Sequence, residues 1–119
     1  MSLEAKLEAV GKEFQTIQHN LSKTVEQRQK LESQLQENEM VQKEFKNLND
    51  DANVYKLIGP VLVKQEPTEA KSNVNKRIEY ISAEIKRVEG LIKDLSMKQE
   101  KKRKEVYELQ MAFQENKEQ

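Results

Sequence analysis

Steps of four and then three residues connect Leu3, Leu7, Val10, Phe14, Ile17, Leu21, Thr24, Arg28, Leu31, Leu35, Asn38, Gln42 and Phe45. A second series with the same spacing runs through Val74, Ile78, Ile81, Ile85, Val88, Ile92, Leu95, Gln99, Lys102, Val106, Leu109 and Phe113. That repeat places one set of residues along one face of a helix and marks the seam of a coiled coil. Glu, Lys, Gln and Asn fill the positions between and solvate the outer face. Two helices are predicted, each on the order of 65–70 Å long at about 1.5 Å per residue. The first starts near Leu3. Gly11 lies off its seam and should weaken it locally by about 1 kcal/mol relative to Ala. The run NLNDDAN, Asn47 to Asn53, offers side chains that compete for backbone hydrogen bonds, so the helix should stop there. Pro67, with Thr68 and Glu69 after it, predicts the start of the second helix.

Between the helices lies VYKLIGPVLVK, Val54 to Lys64, apolar, β-branched and split by Gly59-Pro60. It predicts a β-hairpin with a two-residue turn, where Gly supplies the positive φ and Pro fits the second position. Ile58 would then face Val61, Leu57 would face Leu62, and Lys56 would face Val63. Val54, Ile58, Val61 and Val63 fall on one face of the ribbon, and Tyr55, Leu57 and Leu62 on the other. A two-stranded ribbon is marginal in water, and its open edges invite further strands. Oligomerisation through the sheet is therefore expected. The organisation is one domain: helix over 1–49, hairpin segment over 50–66, helix over 67–119.

Folded back about the hairpin, the seams align with Val10 beside Phe113, Phe14 beside Leu109, Leu31 beside Ile92 and Phe45 beside Ile78. In that register Thr24 meets Gln99, with Arg28 and Lys102 each within one layer. Polar seam residues cost stability but fix register. The expected fold is mostly α: an antiparallel two-helix coiled coil joined by a β-hairpin that contributes to an oligomeric β-barrel.

Composition supports an extended coil over a compact core. The 119 residues are 35% hydrophobic and 35% charged, with no Trp. The 21 basic and 21 acidic side chains cancel, leaving no net field for nucleic acid or a membrane. Lys98, Lys101, Lys102, Arg103 and Lys104 form the one basic run, but Glu100 and Glu105 interrupt it and no aromatic residue interleaves. It reads as a solvated coil face. His19 is the only histidine and there is no cysteine, so neither a zinc site nor a thiol or histidine catalytic set can be assembled. Carboxylates are many, but acid–base work needs a cleft that shifts a pKa. Gly11, Gly59 and Gly90 are too scattered for a phosphate loop. No enzyme, cofactor or metal is expected. Neither end carries an apolar segment of signal or membrane-spanning length, so the reading is of a soluble, intracellular chain.

Leu3, Leu7, Val10, Phe14, Val106, Leu109, Met111 and Phe113 gather at the coil ends farthest from the hairpin. Zipped, they close the coil. Frayed, they offer adaptable apolar surface for weak binding, Met111 above all. Met40, Val41, Leu48 and Leu91 sit beside the seam and are expected to pack where coil meets sheet.

The segments RQKLESQLQENEMVQKEF (Arg28 to Phe45) and VYKLIGPVLVKQEPTEAKSNVNKRIEYISAEIKR (Val54 to Arg87) together resemble the β-type subunits of prefoldin. A single Gly-Pro-centred hairpin between two heptad helices carries that resemblance over nearly the whole chain. It implies a cytoplasmic hetero-hexamer of two α-type and four β-type subunits, whose hairpins join into β-barrels. The coil tips of such a complex hold unfolded client proteins, actin and tubulin among them. They pass these to the cytosolic group II chaperonin without ATP. Carried over by position, Val54, Tyr55, Leu57, Ile58, Gly59, Pro60, Val61, Leu62 and Val63 would form the oligomerisation hairpin. The eight apolar tip residues would be client contacts. The competing reading is a structural coiled-coil spacer or tether, which needs neither a two-faced apolar hairpin nor apolar tips.

Overall fold

A computed structural model describes residues 2–48 and 54–118, in the order α1 (Leu3–Lys46), β1 (Val54–Ile58), β2 (Val61–Gln65) and α2 (Pro67–Glu118). Ser2 caps α1: its Oγ accepts from the Ala5 N–H at 3.0 Å, and its carbonyl accepts from the Lys6 N–H. Glu4 in the first turn and Lys43 and Lys46 in the last complement the helix dipole. At the far end the Asn47 and Leu48 N–H groups donate to the Glu44 and Phe45 carbonyls, tightening the last turn. The helix thus stops where the NLNDDAN run begins; residues 49–53 of that run lie outside the described residues. Pro67 opens α2, and the Glu66 carbonyl accepts the first helical bond, from the Ala70 N–H at 2.9 Å.

The chain divides into two compact units, Gln29–Lys86 and Met1–Arg28 with Arg87–Gln119. In the first, α1 and α2 run antiparallel, and the hairpin belongs to the same unit. Val54, Ala70, Val74, Ile81 and Ile85 are buried, while Leu31, Leu35, Asn38, Gln42 and Phe45 of α1 are half-buried along the seam. In the second, the helices are again antiparallel, but Val88 alone is buried among the described residues.

The seam positions are as the spacing predicts, but the register is not. In the alignment expected above, Gln42 would face Ile81; its side chain instead donates to Asn75, six residues earlier, at 2.8 Å. Arg28 would face Leu95 and pairs with Glu89, again six earlier, at 3.2 Å. Glu13 would face position 110 and pairs with Lys102, eight earlier. The true register is therefore displaced by about one heptad. The physical reason is degeneracy: sliding one regular seam by seven residues lays seam on seam again. The expected meeting of Thr24 with Gln99 goes with it. Thr24 satisfies its hydroxyl on the Asn20 carbonyl of its own helix at 2.7 Å. Asn38 likewise donates to the Gln34 carbonyl.

Three of the four residues expected to pack where coil meets sheet do otherwise. Met40, at 65% exposure, and Leu48 are open to solvent. Leu91 is also exposed and belongs to the other unit, not to the one that holds the hairpin. Val41 is as exposed as Leu48, yet it lines a cavity of about 150 Å³ at the junction with Phe45, Val54, Tyr55, Ala70 and Val74.

Candidate functional site

The hairpin is built by its turn. Gly59 has φ +58°, the one positive φ among the described residues, and Pro60 is confined to negative φ. That sequence of signs is the type II′ turn that matches the twist of two antiparallel strands. It fixes the register Ile58↔Val61, Leu57↔Leu62, Lys56↔Val63, Tyr55↔Lys64 and Val54↔Gln65, as the spacing predicts.

Exposure then separates Val54 from the other hairpin residues whose side chains are described. Val54, at 9%, is buried against Phe45, Ala70 and Val74 and seats the ribbon on the coil. Tyr55, Ile58, Val61, Leu62 and Val63 are exposed, Leu62 at 64%. They fall on both faces of the ribbon, because Ile58, Val61 and Val63 alternate with Tyr55 and Leu62 in the pleat. The side chain of Leu57 lies outside what is described. Among the described residues each strand has a single neighbour, leaving one edge of β1 and one of β2 without a partner strand. The sequence signals missed one feature here. Ala70 falls outside the heptad series, yet it is 3% exposed. Its small side chain lies in the first turn of α2 and lines the cavity shared with Val54 and Tyr55.

The second candidate surface lies in the unit of Met1–Arg28 and Arg87–Gln119. Leu3, Leu7, Val10 and Phe14 of α1 and Val106, Leu109 and Phe113 of α2 are all half-buried, and Met111 is 44% exposed. Tyr107, absent from the expected set, is more exposed than Met111 and sits one helical turn before it. Next to these residues the seam turns polar. Lys102 Nζ bonds Glu13 of α1 and Glu105 of its own helix, and the Glu13 bond, with Glu105 second, holds the ammonium above the usual lysine range. Arg103 donates twice to Glu100, at 3.0 and 2.6 Å, which pulls that carboxyl below its usual range. Lys102 and Arg103 of the basic run are thus engaged by carboxylates. His19 is exposed on α1. No helix among the described residues is long and apolar enough to cross a membrane.

These elements define a class: an antiparallel two-helix coiled coil closed by one β-hairpin whose strands are left open. Residues 8–113 match the prefoldin subunit family, and the chain belongs to the prefoldin family. It is 49% identical over 112 residues to prefoldin subunit 6 of Arabidopsis thaliana, covering 94% of this chain and 87% of that one. It is 46% identical to prefoldin subunit 6 of Homo sapiens over the same shares. The crystal structure of the prefoldin β subunit from Thermococcus strain KS-1 superposes with a TM-score of 0.77 at 27% identity, over 85% of this chain and 89% of that one. Prefoldin is a family of chaperone subunits and not of enzymes, and its subunits form oligomeric complexes with one another. A co-chaperone role follows for this chain.

Proposed function

We propose that the chain is a β-type subunit of a cytoplasmic hetero-hexameric prefoldin. In this reading β1 and β2 enter a β-barrel shared with other subunits. The apolar helix ends, from Leu3 to Phe14 and from Val106 to Phe113, hold non-native polypeptides of the actin and tubulin kind. The complex then delivers them to the group II chaperonin without nucleotide. The observation that carries the reading is the ribbon: five large apolar side chains exposed on both of its faces, beside two open edges. A free ribbon of this kind is marginal, and added strands on both edges would cover it. Capture rests on linkage. Several weak apolar contacts on joined subunits raise avidity by about 10²–10⁴ over one contact, while each remains brief enough for release.

The test is assembly followed by capture. Light scattering on the chain mixed with the remaining prefoldin subunits should give a discrete hexamer. The Tyr55→Ser, Leu62→Ser double variant should stay outside it with its helical circular dichroism unchanged. The hexamer should suppress aggregation of a thermally unfolding client. A variant that assembles as well as the parent sinks the sheet-mediated model. A chain that joins no prefoldin partner leaves the spacer or tether reading in its place.

A further inference from the structure

β1 reads V-Y-K-L-I, four apolar residues around a single charge, with Lys56 in the middle of the five. β2 reads V-L-V-K-Q, with Val63 in the middle and Lys64 off centre. Neither strand carries a carboxylate. What an open edge accepts is decided by the residues that come opposite it. When a five-residue strand pairs over its full length with a second copy of itself, its middle residue meets its own copy. This holds for the two-fold antiparallel arrangement and for the in-register parallel one. At the β2 edge such pairing sets Val63 beside Val63, an apolar match. At the β1 edge it sets Lys56 beside Lys56, and like charges directly opposite destabilise a sheet. Slipping by one residue reverses every side chain between faces, and slipping by two leaves only three residues paired.

We propose that the β1 edge is selected by charge: it rejects a second copy of this chain and accepts a strand of a different subunit that brings a carboxylate opposite Lys56. The proposal rests on the assembly reading above and deepens it, since it names the chemistry of the neighbour on one edge. A lone lysine on an otherwise apolar edge strand is also a recognised device against self-pairing. In the two-fold antiparallel arrangement the β2 edge carries no such restriction, because Lys64 then meets Leu62 and not its own copy.

A charge swap tests it on the whole chain. The parent and its K56E variant are weighed by light scattering, each alone and mixed one to one in low salt. The mixture should reach about twice the mass of either chain alone, because a two-fold pair then joins lysine to carboxylate. Raising the salt should reverse that gain, since exposed charges are screened. The neutral K56V variant should show the same gain without mixing and without the salt dependence. In assembly with the other prefoldin subunits, K56E should be excluded from the hexamer. A mixture no heavier than its components, with K56V also unchanged, overturns the proposal even if the parent hexamer forms. An absent hexamer beside a positive charge swap overturns the assembly reading and supports the edge rule.

Discussion

The stretches of α2 before and after Lys86 share one seam spacing and bury it differently. Before it, Val74, Ile81 and Ile85 are buried and Ile78 is half-buried, and every seam residue from Val74 to Ile85 is β-branched. After it, Val88 is fully buried, but Ile92, Leu95, Gln99, Lys102, Val106, Leu109 and Phe113 are all half-buried. The two stretches differ in residue type and not in periodicity. Stiff β-branched side chains pack an uninterrupted apolar stripe at little rotamer cost. Gln99 and Lys102, one after the other in the seam, require polar partners, and Lys102 finds them in Glu13 and Glu105. Heptad spacing guarantees a seam, but how far each position is covered varies along it: Ile78 and Ile92 are half-buried even within apolar runs. Val106, Leu109 and Phe113 lie beyond that polar pair, so their part of the coil can open without the buried stripe opening too. Such local opening is what the proposed capture of apolar clients asks of it.

The sharpest way to break this comparison is to truncate one residue on each side. Ile85→Ala removes a buried side chain and should cost about 2–4 kcal/mol in urea unfolding followed by helical circular dichroism. Leu109→Ala removes a half-buried one and should cost about 1 kcal/mol, because less area leaves water there on folding. Equal losses would mean that the exposure difference has no energetic counterpart.

How far the sequence could be read follows from the same distinction. Helix ends, turn type and hairpin pairing were legible because each depends on a local signal: Pro67 opening α2, the NLNDDAN run closing α1, and Gly59-Pro60 setting the strand register. The coil register was not legible. It is a long-range property that a regular seam leaves degenerate, and the apparent match of Thr24 with Gln99 belongs to an alignment one heptad away from the real one. Ala70 escaped notice, and Val54 was placed on the assembly ribbon without its burial being seen, for a related reason. Their burial arises where ribbon meets coil, outside either periodic series. The apolar hairpin could be read as a surface in need of cover, yet no spacing rule says that Val54 is already covered by its own chain. At the helix ends, the apolar set was visible and its partial exposure was not, since that depends on how the polar seam residues are satisfied.

A smaller effect of opposite sign sharpens the comparison. Gly11 and Gly90 are both interior to helices, and both fall in the unit with the less buried seam. A Cβ added at either position meets nothing. Gly11→Ala and Gly90→Ala should therefore each stabilise the chain by about 1 kcal/mol, through lower chain entropy in the unfolded state and better helix propensity. Hydrogen exchange should show the gain in that unit's amides and little change across Gln29–Lys86. Protection that rises equally in both units would show that they unfold as one.

The smallest expected effect is in pH. Arg103 holds the Glu100 carboxyl below its ordinary value of 4.5, so its contribution is complete above that pH and is lost as pH falls below it. Glu13 and Glu105 hold Lys102 above its ordinary 10.5, so that contribution is complete below 10.5 and is lost as pH rises past it. Glu100 faces water and Lys102 is only partly covered, and both lie in the same unit, so each adds only a shallow slope to the melting temperature. Glu100→Gln should flatten the acid side of the pH profile slightly and leave the alkaline side alone, whereas Lys102→Gln should do the reverse. A profile that Glu100→Gln leaves unchanged in acid would mean that the Arg103 pair contributes nothing to the fold. The polar part of this unit would then rest on the cross-helix pairs of Lys102 with Glu13 and Arg28 with Glu89.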